Sequence, residues 1–145
     1  MKRIVVANGP NLNLLGTREP EIYGRRTLAD LEKEVRARAR QLGCQVVFFQ
    51  SNSEGELIDR LQKEAPGAAG IVINPAALTH YSYALYDCLR SLAVPALEVH
   101  ISNPLARPEE FRWRSVTAPA AVGVISGLGF RGYLVAMEFL LDLEQ

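Results

Sequence analysis

Five short apolar runs punctuate this chain, each unbroken rather than alternating, and stretches of helical periodicity fill the intervals between them. A strand wetted on one face alternates apolar and polar side chains, whereas a strand buried on both faces does not. Unbroken runs separated by helices therefore point to a parallel sheet covered on both sides. The strands are expected at Lys2–Asn8, Cys44–Gln50, Gly70–Asn74, Pro95–Ile101 and Ala121–Ser126. Between the first two, Leu28, Leu31, Val35, Ala39 and Leu42 recur at helical spacing behind a Thr27 cap and stop at Gly43. Ser53-Glu54-Gly55-Glu56 reads as a capping box opening a helix that turns Leu57, Ile58, Leu61 and Ala65 inward. Further helices are expected over Tyr81–Leu92 and Gly132–Leu143. The fold predicted is α/β: a flavodoxin-like, doubly wound, five-stranded parallel sheet with helices on both faces, in a single domain over residues 1–145.

Charge narrows the function. Sixteen basic and sixteen acidic residues cancel, so the chain lacks the electrostatic footprint of a nucleic-acid or membrane-surface binder. Cys44 and Cys88 have no metal-ligand spacing, and they are expected as reduced thiols. The basic start Met1-Lys2-Arg3 precedes an apolar run too short for a signal peptide, and no run approaches the roughly 20 residues of a membrane span. A cytoplasmic protein without metal or cofactor is the expectation.

The longest interval without periodicity, Val6 to Gly24, is rich in Asn, Gly and Pro, yet it also carries Leu12, Leu14, Leu15, Ile22 and Tyr23. Loops of more than about 12 residues are functional lids or disordered linkers. These apolar residues favour a lid. Arg18 and Tyr23 lie close enough in sequence to meet, and a guanidinium beside a phenol favours the phenolate.

In open parallel sheets ligands bind beyond the carboxyl ends of the strands. Those ends are strongly polar here: Asn8 and Asn11; Gln50, Ser51 and Asn52; Asn74, Thr79 and His80; Glu98, His100, Ser102 and Asn103. Both histidines fall on this one edge. Glu98 and His100 are two apart, hence on the same face of their strand, and a carboxylate there orients an imidazole and favours the protonated form that a general acid needs. His80 and Asp87 are seven apart, which on one helix places them on one stripe, with Asp87 far enough from the sheet edge to face a neighbouring subunit. Gly127-Leu128-Gly129-Phe130-Arg131-Gly132 has the spacing of a dinucleotide fingerprint, but only 13 residues follow it, too few for a second strand, so the glycines read as a tight strand-to-helix turn.

The segments NGPNLNLLGTREPEIYG, FQSNSEGELID, INPAALTH and EVHISN, in this order and spacing, resemble type II 3-dehydroquinate dehydratase. The resemblance implies a flavodoxin-like lyase of the shikimate pathway that removes water from 3-dehydroquinate without a metal or Schiff base. It implies that Tyr23 is the general base. Since a phenol with an ordinary pKa is only roughly 0.1% ionised at pH 7, Arg18 is then required to activate it. Asn11 would support the enolate, and His100, held by Glu98, would protonate the departing hydroxyl. Asn74, with the backbone of Ile101 and Ser102 and the Ser102 hydroxyl, matches the family's carboxylate-binding group. His80 and Arg112 match residues that hold ring hydroxyls, and Asp87 matches a residue contributed by an adjacent subunit. Gly16 to Tyr23 would be a lid, and the assembly a homo-oligomer, a dodecamer of four trimers. The chain departs from the family pattern by one extra residue between His100 and Arg112 and by Trp113-Arg114 where two histidines are common, so Arg107 and Arg114 stay beside Arg112 as candidates. The alternative of an FMN- or nucleotide-binding flavodoxin-like protein requires a phosphate loop after the first strand, where Pro10 removes a backbone donor. A scaffold module leaves the clustering of both histidines unexplained.

Overall fold

Arg3–Asn8 (β1), Gln45–Gln50 (β2), Gly70–Asn74 (β3), Ala96–His100 (β4) and Gly123–Ser126 (β5) form one parallel sheet in the order β2-β1-β3-β4-β5. The computed structural model describes residues 1–17 and 19–143, without the side chain of Tyr23. Pro20–Tyr23 (α1), Leu28–Leu42 (α2), Glu54–Glu64 (α3), Tyr83–Ser91 (α4) and Arg131–Asp142 (α5) are the α-helices. This is the α/β flavodoxin-like sheet expected from the apolar runs.

Strand periodicity sorts the core into two layers. Ile4, Val6, Val72, Leu97 and Val99 point to one face, where α2 and α5 bring Leu31, Val35, Ala39, Tyr133, Met137 and Leu140. The intervening Val5, Ala7, Ile71, Ile73 and Ala96 point to the other, against Leu57, Leu61 and Ala65 of α3 and its end and Leu85 and Leu89 of α4. Most of these side chains are wholly buried, and each buried Val, Leu, Ile or Met among them stabilises the fold by about 1.5–3 kcal/mol. Packing on the first face is close enough that a Cβ on Gly70 would lie 2.8 Å from Leu140 Cβ.

Local chemistry explains the boundaries. Thr27 caps α2 with a full capping box: its hydroxyl accepts from the Asp30 amide, and the Asp30 carboxylate accepts from the Thr27 amide at 2.9 Å. At α3 the expected box is only half formed. Ser53 Oγ accepts from the Glu56 amide, but the Ser53 amide donates to Ser51 Oγ, and the Glu56 carboxylate turns to Ser51 Oγ at 2.8 Å. The helix expected from Tyr81 starts instead at Tyr83, with Ser82 as its cap, because residues 76–80 form a separate 3-10 turn. His80 therefore precedes α4, and the one-stripe relation to Asp87 does not hold. The long interval after β1 also contains structure, a 3-10 turn at Leu12–Leu14 and α1. Coverage of the sheet is incomplete at one edge, where Val122 and Val124 beside and within β5 remain 55% and 49% exposed. Gly127 and Gly129 have φ of +85° and +61° and form the strand-to-helix turn into α5, as their spacing suggested. No helix among the described residues is long and apolar enough to cross a membrane.

Candidate active site

The chain reverses its direction of growth across the sheet between β1 and β3, and this switch point opens a crevice at the carboxyl ends of the strands. In register, Asn8 stands opposite both Gln50 and Asn74. The turn leaving β1 is pinned against the turn leaving β3: the Gly9 amide donates to the Asn74 carbonyl at 2.8 Å, and a Cβ on Gly9 would lie 2.5 Å from the Pro75 carbonyl oxygen. Only glycine permits that approach. Asn52 Oδ1 accepts from the Asn11 amide at 2.8 Å and from Gln50 Nε2 at 3.0 Å, holding Asn11 at the crevice mouth in a left-handed conformation with φ of 71°.

Beneath this edge lies a neutral buried network. Asn8 and Asn74 share the strand parity of the α5 face, where Tyr133 is wholly buried. Tyr133 Oη donates to Asn8 Oδ1 at 2.7 Å and accepts from Asn74 Nδ2 at 2.9 Å, while Asn8 Nδ2 donates to the Phe49 carbonyl. Asn74 Oδ1 is taken by the Ala76 amide at 3.0 Å. Counting protons, the Asn74 carboxamide has its oxygen occupied and one N–H beyond the bond to Tyr133, so it serves the crevice as a donor. Burial pushes the Tyr133 phenol well above its ordinary value, although the Asn74 bond opposes the shift.

The β4 side carries charge. Glu98 is 1% exposed, and its carboxylate accepts from His100 Nε2 at 2.6 Å, Thr79 Oγ1 at 2.8 Å and Thr117 Oγ1 at 2.6 Å. Burial alone would raise the Glu98 carboxyl, but the His100 bond and charge and the two threonine hydroxyls outweigh it and hold the group below the usual carboxylate range. His80 Nδ1 donates to the Arg114 carbonyl at 2.7 Å, which leaves Nε2 as an acceptor, and its ring meets Phe111 edge-on. Burial first, and then the Arg112 and His100 charges, lower the His80 pKa against the opposing backbone bond.

Asn11, Asn74, His80, His100, Ile101, Ser102 and Arg112 line one cleft; the strand ends named Asn11, Asn74, His80, His100 and Ser102, while Ile101 and Arg112 were implied by the resemblance. Glu98 stands directly behind His100. Arg107 and Arg112 both reach the cleft, and Arg114 is not among its lining residues. Arg112 Nε is buried without a hydrogen-bond partner, its recorded carboxylate neighbour being Glu109 Oε2 at 3.8 Å. Arg107 pairs with Glu19, just ahead of α1, at 3.5 Å. Asp87 is exposed on α4 and does not line this cleft. The roles assigned to Arg18 and to the Tyr23 side chain lie outside the described residues. Among the described residues no three His, Cys, Asp or Glu side chains are grouped so as to hold a metal ion. A cleft so furnished offers donors to anionic and hydroxyl oxygens and, at His100, a proton that can move.

Sequence reasoning missed Tyr133 and Thr117. A buried tyrosine needs a partner for its hydroxyl, and the polar Asn8 and Asn74 ending apolar strands were the available signal. Thr117 gave none, since it lies 19 residues from Glu98 in an irregular segment.

The chain is similar to known proteins over nearly its whole length. The family model described as Dehydroquinase class II matches residues 2–141. The chain is 52% identical over 143 residues to the 3-dehydroquinate dehydratase of Endomicrobium trichonymphae, covering 99% of each chain. It is 51% identical over 144 residues to that of Bacillus subtilis, covering 99% of this chain and 97% of the relative. The crystal structure of type II dehydroquinase from Butyrivibrio crossotus superposes with a TM-score of 0.94 at 45% identity, over 97% of this chain and 98% of that one.

Proposed function

Because the chain belongs to the class II dehydroquinase family and is a 3-dehydroquinate dehydratase of the shikimate pathway, we propose that its cleft removes water by an anti elimination through an enolate. Tyr23, held as phenolate by the Arg18 guanidinium, takes the proton beside the substrate ketone. The electron pair of that C–H bond moves onto the ketone oxygen, where Asn11, directly or through water, stabilises the enolate. The pair then returns to form the new C=C bond while the C–O bond to the β-hydroxyl breaks. His100 gives its proton to the departing oxygen, so one proton is taken up, one is delivered and water leaves. The product is a conjugated enone, 3-dehydroshikimate.

The single observation that carries this reading is the His100–Glu98 pair at 2.6 Å, placed in the same cleft as Asn74, Ser102 and Arg112. Asn74, as a donor, with the Ser102 hydroxyl and the Ile101 and Ser102 amides, binds the substrate carboxylate. His80 Nε2 and Arg112 receive ring hydroxyls. Adding 3-dehydroquinate to the wild-type enzyme in the presence of EDTA should raise ultraviolet absorbance as the enone forms, and Tyr23→Phe and His100→Ala should abolish the rise. A His100→Ala enzyme with wild-type turnover would overturn the assignment of the acid.

The same reading makes the enzyme a homo-oligomer, a dodecamer of four trimers in which Asp87 of one subunit completes the cleft of another. The exposure of Asp87 outside its own cleft and the uncovered Val122 and Val124 support it. Sedimentation of wild-type protein as a dodecamer, with smaller species for Val124→Lys, is the expected result; a wild-type monomer would overturn it.

A further inference from the structure

The Glu98 carboxylate is enclosed by hydroxyls whose hydrogen-bond directions can be worked out by counting protons. An ionised carboxylate only accepts, so Thr79 and Thr117 each spend their one hydroxyl proton on it, at 2.8 Å to Oε2 and 2.6 Å to Oε1. Thr79 Oγ1 then has no proton left for Ser115 Oγ, 2.5 Å away, so Ser115 must donate to Thr79. Ser115 Oγ in turn accepts from the Ala118 amide at 2.9 Å. A one-way chain results, from the Ala118 amide through Ser115 and Thr79 to Glu98 Oε2, with Thr117 closing on Oε1. The segment is anchored independently, because the Val116 amide donates to the Thr79 carbonyl at 2.6 Å. The Thr79 and Thr117 hydroxyls point at the carboxylate, and that of Ser115 points at Thr79, with Glu98 Oε2 3.5 Å away. His100 Nε2 lies 2.6 Å from Oε2, and an acceptor there demands that Nε2 carry a proton.

We infer that Thr79 and Thr117, backed by Ser115, are positioning residues for proton delivery: they keep Glu98 an anion aimed at His100, so that His100 retains its Nε2 proton throughout and exchanges the catalytic proton only through Nδ1. The inference rests on the reading of His100 as general acid and extends it to three residues outside the cleft's own donors. Among the described residues, the ionisable groups around the pair are His80, at the end of the turn after β3, and Arg107, Arg112 and Arg114 of the segment after β4. None of them is an acid that could share the load with Glu98. In the complete cage the hydroxyls disperse the buried negative charge. Without one of them the carboxylate binds a proton more readily, and a protonated Glu98 releases its hold on His100.

The test is steady-state kinetics across pH on Thr117→Val, which keeps the shape and removes the hydroxyl, with Thr117→Ser as rescue and His100→Ala alongside. Thr117→Val should lower kcat about tenfold with KM within about twofold, and should move the acid limb of the kcat profile up by about one pH unit, the scale of one hydrogen bond to a charged group. Thr117→Ser should restore both. Ser115→Ala, at a half-buried site, should shift the limb the same way by less. Wild-type behaviour in Thr117→Val, or equal impairment in Thr117→Ser, would overturn the cage while leaving His100 as the acid. A His100→Ala enzyme with wild-type turnover would overturn both.

Discussion

The two buried polar networks at the carboxyl edge of the sheet differ in one respect, charge. On the α5 face, Asn8, Tyr133 and Asn74 form a neutral chain that closes with partners for every group and one N–H turned to the cleft. On the α4 side, Glu98 and His100 form a potentially ionic pair inside a hydroxyl cage. Both satisfy their buried atoms, as a folded interior requires. The neutral one serves to present donors, which is what binding a carboxylate needs. The charged one ties the position of a proton to the protonation of a carboxylate, which is what elimination needs. On the proposed mechanism, substrate affinity and proton delivery are then supported from different faces of the sheet, and breaking each network separately tests that division.

The largest expected effect comes from the charged side. Removing the proposed acid in His100→Ala should lower kcat by about 10²–10⁴-fold with KM nearly unchanged, read from enone formation. Glu98→Gln should come next, with kcat down by about 10- to 100-fold, because the amide still fills the cage but no longer orients an imidazolium. This variant also tests linkage. A carboxyl held below its ordinary value contributes stability that is present above the usual carboxylate range and is lost as pH falls through its lowered folded value. Urea midpoints of the wild type should therefore drop on acidification through that range, and those of Glu98→Gln should drop less.

The neutral side should respond in the opposite way. Tyr133→Phe leaves Asn8 Oδ1 and Asn74 Nδ2 each short of a partner, costing about 1–3 kcal/mol in denaturant unfolding, and should raise KM several-fold while sparing kcat. Its pH signature lies at the alkaline end. A phenol pushed up by burial contributes stability that is complete below its ordinary value of 10.0 and declines as pH rises above it, so the wild type should lose stability there faster than Tyr133→Phe. Asn52→Ala, which frees the Asn11 amide to bond with water, should have the smallest effect, about a two- to threefold rise in KM. A kcat effect in Tyr133→Phe as large as its KM effect would break the division between the two networks.

Much of this was legible in the order of residues. Unbroken apolar runs forced a parallel sheet buried on both faces, and the strand ends then name Asn11, Asn74, His80, Glu98, His100 and Ser102. The period of two alone joined Glu98 to His100, and they are bonded. Local signals failed where two local solutions competed. Ser53 could have shared a capping box with Glu56, but Ser51 offered both a nearer partner. The helix expected from Tyr81 starts two residues later, after a 3-10 turn that ends at His80, since Ser82 is the better cap and its hydroxyl also reaches Glu54.

The sequence by itself determined the layers, the strand ends and the types of residue gathered there, because periodicity and turn chemistry act over a few residues and need no knowledge of the rest of the chain. Only the tertiary structure decided which of Arg107, Arg112 and Arg114 reach the cleft, that Tyr133 bridges two strands 66 residues apart in sequence (Asn74 minus Asn8), and that Thr117 closes on Glu98. Those outcomes depend on how helices and irregular segments dock on the sheet, and that is settled by packing summed over the whole core rather than by any local pattern.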